Sequence, residues 1–200
     1  LDPFSDNLFI KERSYKIISK AIKFSLELKQ ITKKEVPIIG SFSKIKSNKN
    51  IFYQNIKNLI KKANDNEAII LPQWLPPFAW YFGGSVELNV FNSHEDIEYL
   101  KNKNIPICLD VCHFLMCLAK KSVFKEDFDF LLSISDHLHI ADSIGIDGEG
   151  VMIGKGDILN NPYLKKAFNN SKTKVLEVWQ GHLDDFRGFH ESLNQTLNYY

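Results

Sequence analysis

Acidic and histidine residues lie at the ends of three short apolar segments of this chain. The segments and their polar residues are 105–109 with Asp110 and His113, 137–141 with His139 and Asp142, and 174–179 with Glu177. A buried ionised carboxylate is costly unless it is paired or bound to a cation. We therefore expect Asp110, His139 and Glu177 to hold one divalent metal, and their oxygen and nitrogen ligands suit Mn²⁺, Co²⁺ or Zn²⁺.

Apolar segments that alternate with helical patterns would place these residues. Strands are predicted at 36–40, 68–71, 105–109, 137–142 and 174–179, and helices at 13–29, 52–63, 94–101, 124–132, 162–168 and 186–197. Strands that alternate with helices predict βαβ units and a parallel sheet. We count about five units, and a complete (β/α) TIM-type barrel has eight. We therefore predict one α/β barrel domain over residues 1–200, partial in this chain and lacking its N-terminal strands, as the C-terminal part of a longer chain would be.

Composition narrows the class of protein. The chain has 200 residues, 44% of them hydrophobic, and a net charge of +1. This balance gives no reason to expect nucleic acid as a partner. Three cysteines with no CxxC spacing are expected to be buried thiols, and no segment is long and apolar enough for a membrane span. We expect a cytoplasmic protein that binds a small molecule, and a homo-oligomer stays open.

Other residues could contact a substrate, and each has a structural alternative. His113 could fix a substrate oxygen, bind a second metal, support Asp110 or cap a helix, and Asp142 could contact substrate or metal or orient a histidine ring. Lys155 lies in the glycine-rich loop 145–156, which could approach a phosphate or be an ordinary turn. Trp74, in the aromatic loop 72–84, could stack on a sugar or pack in the core.

Four segments, taken in order, resemble the xylose isomerase-like barrel superfamily. They are Leu-Asp-Val-Cys-His at 109–113, His-Ile-Ala-Asp-Ser at 139–143, Ile-Gly-Lys-Gly-Asp-Ile at 153–158 and Leu-Glu at 176–177. That superfamily contains sugar-phosphate isomerases and epimerases as well as apurinic-site endonucleases. The resemblance implies a metal held by Glu, Asp, His and Glu on successive strands, which fall on Gln73, Asp110, His139 and Glu177.

The chain departs from that pattern at two places. Gln73 can coordinate a metal through its carbonyl oxygen but cannot act as a general base. An epimerase with one carboxylate on each side of the abstracted proton would lose half of the pair, whereas an isomerase relying on Glu177 or a water would lose less. The endonuclease branch needs Asp-x-His in the late loop, where this chain has Asp147-Gly148-Glu149. This difference disfavours DNA as the substrate.

The main functional hypothesis is a metal-dependent isomerase or epimerase of a sugar or sugar phosphate. The metal would polarise a carbonyl, Glu177 or a water would move the proton, and His113 would hold a substrate oxygen. A second hypothesis is a non-catalytic or accessory barrel domain of a larger enzyme, for example in surface-sugar (nonulosonate-type) biosynthesis, and Gln73 favours it. A third is a metal-dependent phosphoesterase that acts on nucleic acid.

Overall fold

Strands and helices alternate along the chain, as the apolar pattern predicts. The computed structural model describes residues 1–43, 48–81 and 84–197, with only the backbone at Tyr81. In chain order the elements are α1 (Leu8–Thr32), β1 (Ile38–Gly40), α2 (Lys49–Asn64), β2 (Ile70–Pro72), β3 (Phe78–Tyr81), β4 (Gly84–Glu87), α3 (His94–Lys103), β5 (Ile107–Asp110), α4 (Val111–Ala119), α5 (Asp127–Ile134), β6 (Ser135–Ile140), β7 (Asp142–Ile144), β8 (Gly148–Val151), a 3₁₀ helix (Ile158–Asn160), α6 (Asn161–Phe168), β9 (Thr173–Leu176) and α7 (Leu183–Leu197).

The parallel strands succeed one another in the order β1, β2, β5, β6 and β9. β1 pairs with β2, and β6 pairs with both β5 and β9, all in parallel. A parallel bridge between Gln73 and Cys108 connects the end of β2 to β5. Within the described ranges these strands do not close on themselves. The predicted α/β fold with a partial barrel is confirmed.

Alternation along β6 separates a core face from a polar face. Leu138 and Ile140 are fully buried in the main hydrophobic core. His137 and His139 lie on the other face, with ring centroids 5.4 Å apart. Successive side chains of a strand point to opposite faces, so the residues two apart share a face. The polar face is the one that would line the inside of a barrel.

The core lies between the sheet and the helices that cover it. It is rich in aromatic side chains, and the largest fully buried ones are Trp74, Tyr53, Phe91, Phe114 and Phe128. Full burial of a large apolar side chain contributes roughly 1.5–3 kcal/mol relative to exposure. The thiols of Cys108, Cys112 and Cys117 are free and buried, as predicted. Among the described residues, no helix has the length and apolarity to cross a membrane.

Three regions without a predicted helix or strand contain regular secondary structure. Residues 111–119, for which no helix is predicted, form α4, and Asp110 caps this helix by accepting a hydrogen bond from the His113 N–H at 3.2 Å. Because almost all of α4 is buried, its sequence has no polar face and hence no amphipathic signal. The predicted loop 72–84 contains β3 and ends where its antiparallel partner β4 begins, and the predicted loop 145–156 contains β8, which pairs with β7 just before the loop. Residues 82–83 of the first loop lie outside the described residues.

The C-terminal helix begins irregularly. Within α7, residues 184–186 have left-handed backbone angles, with φ between 49° and 61°. Left-handed backbone disfavours residues with a side chain, at roughly 1–2 kcal/mol each. Regular right-handed helix follows, and Phe189 packs there against a small cluster of Cys112, Met116, Ala141 and Val178 beneath the polar face.

Candidate metal centre

Three metal-ligating side chains meet at the carboxyl ends of neighbouring strands. Asp110 ends β5 and lies opposite His139 of β6, and Glu177 follows β9 with its N–H bonded to the Ile140 carbonyl at 3.0 Å. One ligand atom from each of Asp110, His139 and Glu177 lies within 4.8 Å of the other two. The parallel register brings together residues that are 67 positions apart in the chain.

In this cluster His139 and Glu177 are hydrogen-bonded directly to each other, and a bound cation would replace that hydrogen bond. Nδ1 of His139 lies 2.5 Å from Oε2 of Glu177 and 3.9 Å from Oδ2 of Asp110. Catalytic transition-metal sites commonly use three nitrogen and oxygen ligands from the protein and leave a further position for substrate or water. The side chain of Asp110 is buried, whereas that of Glu177 is 47% exposed. The donor set therefore fits a divalent metal that is reachable from solvent on the Glu177 side.

The buried carboxyl group of Asp110 has a raised pKa. Burial raises the pKa of Asp110 to about 6, with Glu177 acting in the same direction and His113 and His139 acting against it. The carboxylate accepts hydrogen bonds from Gln73 Nε2 at 2.8 Å and from the His113 N–H at 3.2 Å. A carboxylate so placed gains from a nearby cation, because the cation offsets the desolvation of the ionised form.

His113 supports Asp110 and has both ring nitrogens engaged. Nδ1 lies 2.8 Å from the Trp74 carbonyl oxygen and 3.2 Å from Oδ2 of Asp110, and Nε2 lies 2.8 Å from Oε1 of Glu149. Burial would lower the pKa of His113, but Asp110, Glu149 and the Trp74 carbonyl raise it to about 9. The ring thus donates from both nitrogens to protein acceptors. These contacts connect His113 to Asp110 and Glu149, and its predicted contact with substrate stays a prediction.

Glu149 lines the pocket beside the cluster, although its sequence position does not predict it as a site residue. It lies on β8 at the position where the endonuclease branch has histidine, and its side chain is 17% exposed. Its contact with His113 explains why an acid suits this position, because a second acceptor holds the imidazolium ring in place. The departure from the family motif was the available signal. Nothing local in the sequence connects residues 113 and 149.

Gln73 reaches the cluster with its amide nitrogen. Nε2 donates to Asp110 and lies 3.3 Å from Nδ1 of His139, and Oε1 accepts a hydrogen bond from Ser41 Oγ at 2.8 Å. The predicted coordination through the carbonyl oxygen does not occur in this orientation. Rotating the amide by half a turn would direct Oε1 to the cluster and leave Nε2 facing the Ser41 hydroxyl, which can also accept.

Asp142 lies apart from the cluster, and its partners are amide groups. Its carboxylate is almost completely buried. Four N–H groups donate to it, from Ser143 N at 2.8 Å, Gly154 N at 3.0 Å, Gly156 N at 3.1 Å and Asn160 Nδ2 at 2.7 Å. These contacts hold the loop that follows β8 in place. The structure offers no contact in support of the predicted role of Asp142 towards substrate or metal.

The glycine-rich loop does not form the expected phosphate cradle. The N–H groups of Gly154 and Gly156 donate to Asp142, and the N–H of Lys155 donates to the Met152 carbonyl at 2.9 Å. These backbone donors are satisfied within the protein and are not directed at an external anion. The side chain of Lys155 is exposed. A phosphate contact by Lys155 therefore rests on the sequence alone.

The aromatic residue beside the cluster is Trp179 and not Trp74. Trp74 is fully buried in the core, so its ring cannot stack on a sugar, although its carbonyl accepts from His113. Trp179 is 52% exposed. It lines a small pocket with residues of the cluster, namely Asp110, Cys112, His113, Glu149, Gly150 and Glu177. The signal for Trp179 was its place two residues after Glu177.

Comparisons with solved structures find the same fold in two proteins with TM-scores above 0.5. A xylose isomerase domain protein from Planctomyces limnophilus is 12% identical with a TM-score of 0.57, and the match covers 82% of this chain and 59% of that protein. The protein SMc04130 from Sinorhizobium meliloti 1021 is 14% identical with a TM-score of 0.54, and the match covers 98% and 73%. The 3-keto-D-glucoside 4-epimerase YcjR from E. coli is 16% identical with a TM-score of 0.48, and the match covers 73% and 52%.

The chain spans a little more than half the length of the Planctomyces protein that it matches, at 59%. A comparison with curated proteins gives no match. The family model described as xylose isomerase-like TIM barrel matches residues 5–196, which is nearly the whole chain. This match confirms the resemblance drawn from the four segments, and the protein belongs to the xylose isomerase-like TIM barrel family.

Proposed function

We propose that this chain binds a divalent transition metal through Asp110, His139 and Glu177 and isomerises or epimerises a sugar by proton transfer. The observation that carries the proposal is the convergence of the three ligand atoms within 4.8 Å at the ends of adjacent strands. In barrels of this type, catalytic groups collect at that end of the strands. Membership of the family supports sugar isomerisation or epimerisation as the reaction. The geometry supports the three side chains as metal ligands.

The metal and the acidic residues of the site have different roles in the proposed reaction. A divalent metal bound there supplies Lewis-acid polarisation of a substrate carbonyl and the adjacent hydroxyl. Glu177 takes up the proton from the carbon between them, because it is the half-exposed acid of the pocket. Burial would raise the pKa of Glu177, but its hydrogen bond and charge interaction with His139 lower it, so the carboxylate is ionised at neutral pH. Asp110 is too buried for this role, and the side chain of Glu149 is only 17% exposed.

Gln73 limits the stereochemistry of the proposed reaction. An amide cannot accept a proton from carbon, so the site lacks the second carboxylate that inversion between two bases requires. A single base returns the proton to the face from which it was taken. The proposal therefore favours exchange of a carbonyl and hydroxyl between neighbouring carbons, with Glu177 as the base.

The test compares two histidines of the same strand face. Metal-free protein is titrated with Co²⁺ and followed by the visible absorption of the bound ion. We expect His139→Ala to weaken Co²⁺ binding by about a thousandfold, because a direct ligand contributes more than the roughly 10–100-fold of supporting residues. His137→Ala removes the neighbouring ring and should leave the affinity within about twofold, because Nδ1 of His137 contacts Thr173 Oγ1 at 2.7 Å and not a proposed ligand, whereas large supporting effects come from residues bonded to a ligand. Equal Co²⁺ affinity in the two variants would remove the metal site.

Turnover needs its own measurement. Metal-loaded protein is incubated in D₂O with aldoses and ketoses, and incorporation of deuterium next to the carbonyl is followed by NMR. We expect incorporation that Glu177→Gln abolishes, because the amide cannot carry the proton. Incorporation that persists at the wild-type rate in Glu177→Gln would exclude Glu177 as the base.

The second candidate function is a sugar-binding domain without catalysis. The orientation of Gln73 favours it, because the amide N–H group donates to Asp110 where the family pattern has an acid. The same sugars separate the two functions. Thermal stabilisation by a sugar without any deuterium incorporation supports the non-catalytic domain, whereas incorporation supports the enzyme.

A further inference from the structure

We propose that Trp179 is the stacking platform for the substrate and that this substrate is an unphosphorylated, neutral sugar. This inference rests on the proposed function and names the substrate class of the same site. It is carried by the exposure of the indole, by the backbone that holds it, and by the charges of the pocket that it lines.

Trp179 presents half of its surface beside the cluster. It is 52% exposed, and it lines the same pocket as Asp110 and Glu177. The enclosed part of this pocket has a volume of only about 10 Å³, whereas a single water needs roughly 10–15 Å³. A sugar would therefore lie on the open side of the pocket, against the exposed face of the indole.

The indole is held in place by Gly150. The backbone N–H of Trp179 donates to the Gly150 carbonyl at 2.9 Å, and the backbone N–H of Gly150 donates to Sγ of Cys112 at 3.3 Å. A Cβ atom at position 150 would lie 2.3 Å from Cδ1 of Trp179, and the φ angle of 69° also disfavours a side chain there. Residue 150 is therefore glycine so that the indole can pack on the backbone. A ring held in this way offers a fixed face to a ligand.

The pocket is acidic and has no side chain that recognises phosphate. Its charged lining residues are Asp110, Glu149, Glu177 and His113. Among the described residues that line it, there is no lysine or arginine, which are the usual partners of a phosphate group. The backbone N–H groups of Gly154 and Gly156 are already bonded to Asp142. A phosphate would thus meet carboxylates without a compensating cation other than the metal.

A neutral sugar matches both halves of this surface. The C–H face of a pyranose or furanose ring is apolar and can lie on the indole, while its hydroxyl groups donate to carboxylates. Binding pockets for such ligands combine an aromatic surface with a few polar groups that fix orientation. Trp179 is thus a residue that determines specificity, and it takes the role that Trp74 was expected to have.

The experiment measures sugar binding to Zn²⁺-loaded protein by calorimetry. D-Glucose, D-fructose, D-mannose and D-tagatose are each compared with the corresponding 6-phosphate. We expect at least one neutral hexose to bind and its 6-phosphate to bind at least about tenfold more weakly, given the unpaired charge. Trp179→Ala should raise the Kd of that hexose about tenfold, and Trp179→Phe should retain most of the affinity because it keeps an aromatic face.

Trp80 provides the matched control. It is also 52% exposed, but it lies on β3 and does not line the pocket. Trp80→Ala should leave the Kd unchanged. Equal Kd values for wild type and Trp179→Ala, tighter binding of the 6-phosphates, or no binding of any hexose would overturn the inference. Co²⁺ absorption reports separately on the ligand His139, so failure of the metal site is distinguished from failure of the stacking platform.

Discussion

Two buried aspartates near strand ends have opposite surroundings. Asp142 receives four N–H donors, three of them from the backbone, and these hold a loop in place. Asp110 also receives N–H donors, but it lies among the ionisable side chains of His113, His139 and Glu177. The backbone donors of Asp142 cannot be exchanged without disturbing the loop. The side-chain partners of Asp110 can move aside and be replaced by a cation, so Asp110 is suited to binding a metal ion.

The largest expected difference between the two aspartates is in stability. Asp142→Ala should lower the free energy of unfolding of metal-free protein by about 3 kcal/mol, because it leaves several buried N–H groups without an acceptor. Urea unfolding followed by circular dichroism measures it. Asp157→Ala is the control in the same loop, since Asp157 is exposed and accepts from the Gly145 N–H, and its effect should stay below about 1 kcal/mol. Similar losses in both variants would contradict a structural role specific to Asp142.

Replacing Gln73 by glutamate would give the Asp110 region the acid that the family pattern has at this position. Gln73→Glu should raise metal affinity about tenfold, because it adds a charged oxygen ligand beside Asp110. The same variant should destabilise the metal-free protein, since two carboxylates then face each other. Calorimetric titration with Co²⁺ measures the affinity. Ser41→Ala removes the hydrogen bond to Gln73 without adding charge and should leave the affinity within about twofold, so an equal gain in both variants would argue against the added charge as the cause.

A smaller effect concerns the buried charge of Asp110 without metal. Because burial raises its pKa to about 6, ionisation destabilises the folded state. The penalty is absent below the unfolded pKa, grows as pH rises towards 6 and is complete above it. Asp110→Asn removes this penalty and should add about 1 kcal/mol to the free energy of unfolding of metal-free protein at pH 8, since weaker hydrogen bonds to His113 offset part of the gain. At pH 4 the penalty is nearly absent, so the variant should change the stability very little.

Unfolding titrations at the two pH values measure this difference. Asp65→Asn is the control, because Asp65 is exposed at the end of α2, and its effect should stay within about 0.5 kcal/mol at both pH values. A loss of stability at pH 8 in Asp110→Asn would show that the carboxylate is stabilised by its neighbours even without metal. The contrast with Asp142 would then disappear.

The sequence predicted the elements that have a recognisable period. The helices α1, α2 and α7 and all five parallel strands lie where the apolar patterns place them, with shifted ends. α4 was missed because a helix buried on all sides has no polar face from which to read a period. β8 lies in the segment predicted as a loop, because glycines indicate turns and do not distinguish a loop from a short strand of a hairpin.

Strand ends and residue types alone were enough to select Asp110, His139 and Glu177, because parallel strands must present their carboxyl ends together. They could not decide the partners of these residues. Contacts between residues distant in the chain decided three of these partners. They direct Asp142 to backbone amides, bring His113 to Glu149, and place Trp179 rather than Trp74 in the pocket. Such contacts leave no local pattern, since each forms only when the loops pack over the sheet, and the tertiary structure alone decided them.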